Sequence, residues 1–291
     1  MPNILPCSGT ARLAESISRV SGFGIIKKNV NKFPDGEMHI KLENVDFKGD
    51  VVYILQSLFP DQNNSIVELL LTINAVSESG GRPVAVVPYM PYSRQDKLFE
   101  KGEAFSLKAI LMSMKACGAE RLITVDPHFS RREGKSVMFG LTVTSLSASK
   151  AVYDYAKSVN GSIVLVGPDE GSMDFLSDLK CTVFMKKKKK FEDRKDGTLN
   201  YKISLDVPDF NGKNVLLMDD IISSGETMVT AAKLLKGKGK NVSIACTHGL
   251  FIGDSAKKLK KYSDTIIATD TVESEFSKVS VAEIIAREIS E

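Results

Sequence analysis

Residues 215–227 constrain this chain more than any other stretch. Val215, Leu216, Leu217 and Met218 are consecutive apolar residues, the pattern of a strand covered on both faces in a parallel sheet. Asp219 and Asp220 follow, and a small hydroxyl-rich loop, Ser223-Ser224-Gly225-Glu226-Thr227, then opens a helix predicted to run to about Lys236. The unpaired N–H groups and the positive dipole end of a helix start favour a phosphate. The two acids cannot sit on that phosphate without repulsion, so sugar hydroxyls or a bound cation are their natural partners. A plain strand-to-helix turn with the acids as caps would share some of these residues; the combination of all three features favours a phosphosugar cradle. Glu226 must then point outward, or it would oppose the anion.

The rest of the chain repeats the alternation of strand and helix that marks a parallel α/β sheet. Strands are expected at 51–55, 84–87, 122–125, 163–166, 182–185, 215–218, 242–246 and 265–268, from their apolar runs. Helices are expected between them. One starts at Ser65, which has a capping-box spacing to Glu68, and others span 107–117, 148–159 and 227–236, with a final amphipathic stretch at 281–289. A length of 291 residues suggests about two domains. The strands divide around 140–147 into two sets of similar pattern, which hints at an internal duplication.

Composition narrows the function classes. A net charge of +3 is too small to imply general nucleic-acid binding, and no apolar run is long enough to span a membrane. The N-terminal residues lack the pattern of a secretory leader, so a cytoplasmic location is expected. Cys7, Cys117, Cys181 and Cys246 are scattered without a C-x-x-C pair, which argues against a zinc site or a disulfide framework. The last three lie in apolar segments and read as small core residues.

Three polar clusters stand in the first half. Phe33-Pro34-Asp35-Gly36-Glu37 sets an aromatic ring before a turn flanked by acids, suited to stacking on a planar base, although a solvated hairpin turn reads the same way. Tyr92-Ser93-Arg94-Gln95-Asp96-Lys97 follows a proline-rich strand end, which sends Arg94 and Lys97 out at the carboxyl edge where α/β ligands bind; a surface charge cluster is the plainer alternative. Asp126 and His128 sit two apart at another strand end and would face one way if extended. His39 reads as exposed, and His248 as a loop residue.

Taken together, these motifs resemble the ribose-phosphate pyrophosphokinase (PRPP synthase) family over nearly the whole length. The resemblance rests on 33–37, 92–96, Asp126-x-His128, Pro168-Asp169-x-Gly171, 219–227 and Thr247-His248-Gly249-Leu250-Phe251, in that order. Residues 219–227 also look like the PRPP motif of type I phosphoribosyltransferases. The resemblance implies two type I phosphoribosyltransferase-like domains, at 1–143 and 144–291, with the last helix able to pack back on the first. It assigns ATP to Phe33, Asp35, Gly36, Glu37, Arg94, Gln95, Asp96 and His128. Ribose 5-phosphate falls to Asp219, Asp220, Ser223, Ser224, Gly225, Glu226 and Thr227, and Mg²⁺ to His128 and Asp169. Asp169 taken alone would read as a helix cap.

The run Lys186 to Lys190, in itself a solvated face, falls where the family carries a mobile catalytic loop with a Lys-x-Arg pattern. Lys187 and Lys189 are the corresponding catalytic residues. Lysine at 189 lacks the guanidinium fork, which Arg194 could supply. The implied reaction gives PRPP and AMP from ATP and ribose 5-phosphate, in a homo-oligomer whose ATP site lies at a subunit interface. Two alternatives stay open: a phosphoribosyltransferase that consumes PRPP, and a non-catalytic regulatory subunit of the same fold.

Overall fold

The computed structural model describes residues 2–43, 46–130, 133–179, 183–185, 188–193, 199–204, 210 and 212–291. The chain forms two compact units, one of residues 1–148, 270–272 and 280–291, the other of residues 149–269 and 273–279. The boundary expected at 143/144 therefore falls inside a strand, Leu141–Leu146, which belongs with the first sheet.

The first unit contains strands β1 (Asn3–Pro6), β2 (Gly24–Ile25), β3 (Lys28–Lys32), β4 (Met38–Leu42), β5 (Val51–Leu55), β6 (Arg82–Val86), β7 (Arg121–Val125), β8 (Gly134–Met138) and β9 (Leu141–Leu146). Seven form one sheet in the order β2-β1-β5-β6-β7-β9-β8, parallel except for the edge strand β8. The β3–β4 pair is a separate antiparallel hairpin. Alternate side chains of one strand enter different cores, as a two-residue period requires. Val52 and Ile54 join α2 (Gln62–Glu78) and α3 (Ser106–Ala116) on one face, while Tyr53 and Leu55 join α1 (Ala11–Ser21) and the C-terminal helix Ala282–Ser290 on the other.

That C-terminal helix buries Ala282, Ile285, Ala286 and Ile289, an i, i+3, i+4, i+7 stripe. Each isoleucine contributes about 1.5–3 kcal/mol as an upper estimate. Its last turn is fixed by Tyr53, whose hydroxyl donates to the Ile289 carbonyl at 3.0 Å, and by Arg121, 2.9 Å from Glu288.

Helix α2 starts earlier than its sequence suggests. Asp61 is the N-cap, and Ser65 lies inside the first turn with its N–H on the Asp61 carbonyl. The capping box does not form because Glu68 faces the interior, where Lys28 takes its carboxylate at 2.7 Å. A long-range ion pair thus displaces the local bond that the spacing favours.

The second unit contains α4 (Ser149–Asn160), β10 (Ile163–Gly167), α5 (Met173–Leu176), β11 (Val183–Phe184), β12 (Lys188–Asp193), β13 (Leu199–Ser204), β14 (Asn214–Ile222), α6 (Glu226–Leu235), β15 (Val242–Gly249), α7 (Ser255–Leu259), β16 (Thr265–Thr269) and β17 (Ser277–Val279). Its six-stranded sheet runs β11-β10-β14-β15-β16-β17 and is parallel throughout. Leu217 and Ile244 pack with α6 on one face, and Leu216 and Met218 with α4 on the other. In both units the second strand flanks the first at the edge, later strands add on the other side, and an antiparallel hairpin is inserted between the second and third strands of the sheet. The expected α/β architecture of two mainly parallel sheets flanked by helices is what the chain adopts.

Candidate active site

The cradle of the second unit is built on β14. This strand runs on to Ile222 rather than ending at Met218, so both acids are strand residues: Asp219 lies opposite Cys246, and Ile221 opposite His248. The loop is tied to the end of β15 by the N–H groups of Leu250, on the Ile222 carbonyl at 2.9 Å, and of Ile252, on the Ser223 carbonyl at 3.0 Å. Gly225 is the N-cap of α6 with φ +72°, and a Cβ there would lie 3.1 Å from Cβ of Ser255. Glycine is therefore required both by the left-handed backbone and by the close approach of α7. Among the described residues no side chain caps α6, which leaves first-turn N–H groups for an anion. Glu226 is exposed, as the phosphate reading demands.

Burial pushes the Asp219 carboxyl well above the ordinary range, with the like charges of Asp220 and, more weakly, Asp169 adding to it. One bond works the other way, from the Asp220 N–H to Asp219 Oδ1 at 3.0 Å. The neighbouring Cys246 thiol is buried and raised for the same reasons, desolvation first and Asp219 next. Asp169 sits in the turn after β10, where its Oδ1 accepts the Gly171 N–H at 2.9 Å. This is the local capping bond expected of a turn acid, and Asp169 still contributes charge at Asp219. Among the described residues no group of three or more metal-binding side chains is already assembled.

In the first unit, Phe33 closes the β3–β4 hairpin. Its N–H donates to the Glu37 carbonyl at 2.8 Å, Gly36 turns at φ +95°, and Asp35 Oδ1 accepts the Glu37 N–H at 3.1 Å. The motif is thus a hairpin turn, with Phe33 50% exposed at its end. Arg94 is exposed, and Gln95 and Asp96 are half-buried in the segment after β6. Glu103 organises that segment: Oε2 takes the N–H groups of Phe99 and Glu100 and Nε2 of Gln95 at 2.8, 3.0 and 3.0 Å. The Glu100 and Phe99 N–H groups hold its carboxyl below the usual range. No local pattern in the sequence marks Glu103 for this role.

Two histidine expectations change. Asp126 adopts φ +37° and its Oδ2 accepts the Ala148 N–H at 3.0 Å, so the extended geometry that would align it with His128 is not formed. His128 itself is half-buried at the end of β7. His248 is a buried strand residue of β15 rather than a loop residue. His39 is exposed, as expected, but not idle, since its ring lies 5.4 Å from that of Phe33. Cys246 and Cys7 are buried and Cys117 is half-buried. Lys187, Arg194 and Cys181 lie outside the described residues; Lys189 is on β12, with its side chain outside the description.

Comparison with known proteins gives a consistent result along the chain. Residues 3–118 match the N-terminal domain of ribose phosphate pyrophosphokinase, and residues 142–283 match the phosphoribosyl transferase domain. A ribose-phosphate pyrophosphokinase 2 of Archaeoglobus fulgidus is 34% identical over 98% of this chain and 99% of its own length. A ribose-phosphate pyrophosphokinase of Methanopyrus kandleri is 36% identical, over 89% of this chain and 88% of that one. The crystal structure of phosphoribosylpyrophosphate synthetase from Mycobacterium smegmatis shares the fold, with a TM-score of 0.81 at 24% identity over 99% of this chain and 97% of that one. By matching domains in order, and by full-length identity, the chain belongs to the ribose-phosphate pyrophosphokinase family.

Proposed function

We propose that this chain is an active ribose-phosphate diphosphokinase. The C1 hydroxyl oxygen of ribose 5-phosphate bonds to the β-phosphorus of ATP, the bond from that phosphorus to the α,β-bridging oxygen breaks, and PRPP and AMP result. The observation that carries this reading is the uncapped start of α6 directly after an acid pair whose charges repel. Residues 223–227 hold the 5-phosphate, and Asp219 and Asp220 take the ribose hydroxyls.

The family generally uses Mg²⁺, and the raised Asp219 carboxyl, with the like charges of Asp220 and Asp169 acting on it, fits a nearby cation. His128 is proposed to hold one such ion and Asp169 to help hold a second, and when bound they would supply charge neutralisation on the phosphates. In the first unit, Phe33 receives the adenine ring, Asp35 and Glu37 accept from its amino group, and Arg94, Gln95 and Asp96 address the phosphates and metal. Lys187, with Lys189 or Arg194, neutralises charge developing on the transferred group. A homo-oligomer with its ATP site at a subunit interface, and a cytoplasmic setting, belong to the same proposal. Among the described residues, no helix is long and apolar enough to cross a membrane.

The test is product analysis. AMP should appear in step with PRPP, and only when ATP, ribose 5-phosphate and Mg²⁺ are all present. ADP as the main product would overturn diphosphoryl transfer, and PRPP consumption without AMP would return the chain to the transferases.

A further inference from the structure

The β3–β4 hairpin has two faces. Lys28, Ile40 and Leu42 turn inward, with the Lys28 side chain and Leu42 buried and Ile40 packed on the core of the first unit. The alternate residues, Phe33, Glu37 and His39 among them, share the outer face. Because the Phe33 N–H meets the Glu37 carbonyl, residue 33 stands opposite 37, and His39 is its diagonal neighbour on that face. The two rings lie 5.4 Å apart between centroids at 58°, within the range of a tilted aromatic pair. Phe33 nonetheless keeps half its surface open.

An exposed ring at the end of a hairpin samples several rotamers, and a base that stacks on it must freeze them. A second ring on the next rung narrows that choice before the base arrives. We propose that His39 is a positioning residue for the nucleotide, bracing the Phe33 ring so that the base meets a preset platform. This rests on the reading of Phe33 as the adenine platform, and it gives a role to a histidine that the sequence motif itself leaves out.

The test is a double-mutant cycle on the full chain, read by calorimetric titration of ATP with Mg²⁺. Phe33→Ala should weaken ATP binding about tenfold or more, and His39→Ala about three- to tenfold. The double variant should be no weaker than Phe33→Ala alone. His39→Tyr should restore affinity, ribose 5-phosphate binding should be unchanged throughout, and kcat at saturating ATP should barely move. Normal ATP affinity in His39→Ala, or two losses that simply add, would overturn the bracing role while leaving the Phe33 platform standing. Undiminished ATP binding in Phe33→Ala would instead remove the platform reading, and the inference with it.

Discussion

Glu68 in the first unit is buried and Asp219 in the second half-buried, yet their surroundings push the two carboxyls in opposite directions. Around Glu68 every charge is met: Lys28 donates to Oε1 at 2.7 Å, the Ser8 N–H to the same oxygen at 2.9 Å, and Gln56 to Oε2 at 3.3 Å. Burial alone would raise this carboxyl, but the ammonium and the N–H outweigh it and hold it below the ordinary range. Around Asp219, burial is reinforced by Asp220 and Asp169. A buried acid with its partner in place belongs to the architecture; one surrounded by like charge is arranged for something that arrives from solution. Lys28 also roots the hairpin that carries Phe33, so the paired acid supports, from a distance, the turn proposed to meet the nucleotide.

The strongest way to break this contrast is to remove the partner that holds Glu68 down. Lys28→Met strands a carboxylate whose side chain is only 3% exposed, and should destabilise the fold by about 3–5 kcal/mol in denaturant titration. The double change Lys28→Met with Glu68→Leu should recover most of that loss. The pH dependence has a fixed sign. Because the folded carboxyl is depressed, the pair's contribution is complete above the unfolded value and is lost as pH falls through the folded one. A loss under about 1 kcal/mol for Lys28→Met would mean that the pair is dispensable and the comparison unsound.

The sequence made one side of this contrast legible and concealed the other. The run 215–218, the acid pair and the small loop are contiguous, so strand, charge and helix start could be read in one window. Glu68 misled because its spacing from Ser65 fits a local cap, while Lys28, which decides its direction, is remote in sequence. The hairpin strands β3, β4 and β8 are rich in polar residues and exposed, so they lack the apolar runs that mark the central strands. Asp126 failed for a related reason: its left-handed backbone answers to Ala148, which nothing near Asp126 announces.

On the ligand side, the cradle should respond in affinity rather than in folding. Thr227→Ala removes a hydroxyl donor to a charged acceptor at the start of α6, a loss of roughly 1.5–3 kcal/mol, or about ten- to a hundredfold. Since a phosphate contact of this kind serves ground state and transition state alike, KM for ribose 5-phosphate should rise more than kcat falls, while ATP affinity survives. Loss of ATP binding with normal ribose 5-phosphate binding would reverse the assignment of the two units.

Asp219→Asn is the smallest of these effects and the sharpest, because it should help the fold while harming the enzyme. Neutralising a carboxyl held among like charges should stabilise the ligand-free protein by roughly 0.5–2 kcal/mol, in the range typical of relieving functional-site strain. The sign follows from its raised value. The penalty is complete above the folded pKa, shrinks as pH falls, and is gone below the ordinary carboxylate value of about 3.9. The stability gap between wild type and variant should therefore be widest above the folded pKa and close on acidification; it has the opposite sign to the gap for the Lys28–Glu68 pair, with the variant rather than the wild type the more stable. Ribose 5-phosphate with Mg²⁺ should raise the melting temperature of the wild type by much more than that of the variant. If Asp219→Asn instead destabilised the protein at neutral pH as Lys28→Met does, Asp219 would be a satisfied structural acid, and the cation and sugar would have to be sought elsewhere.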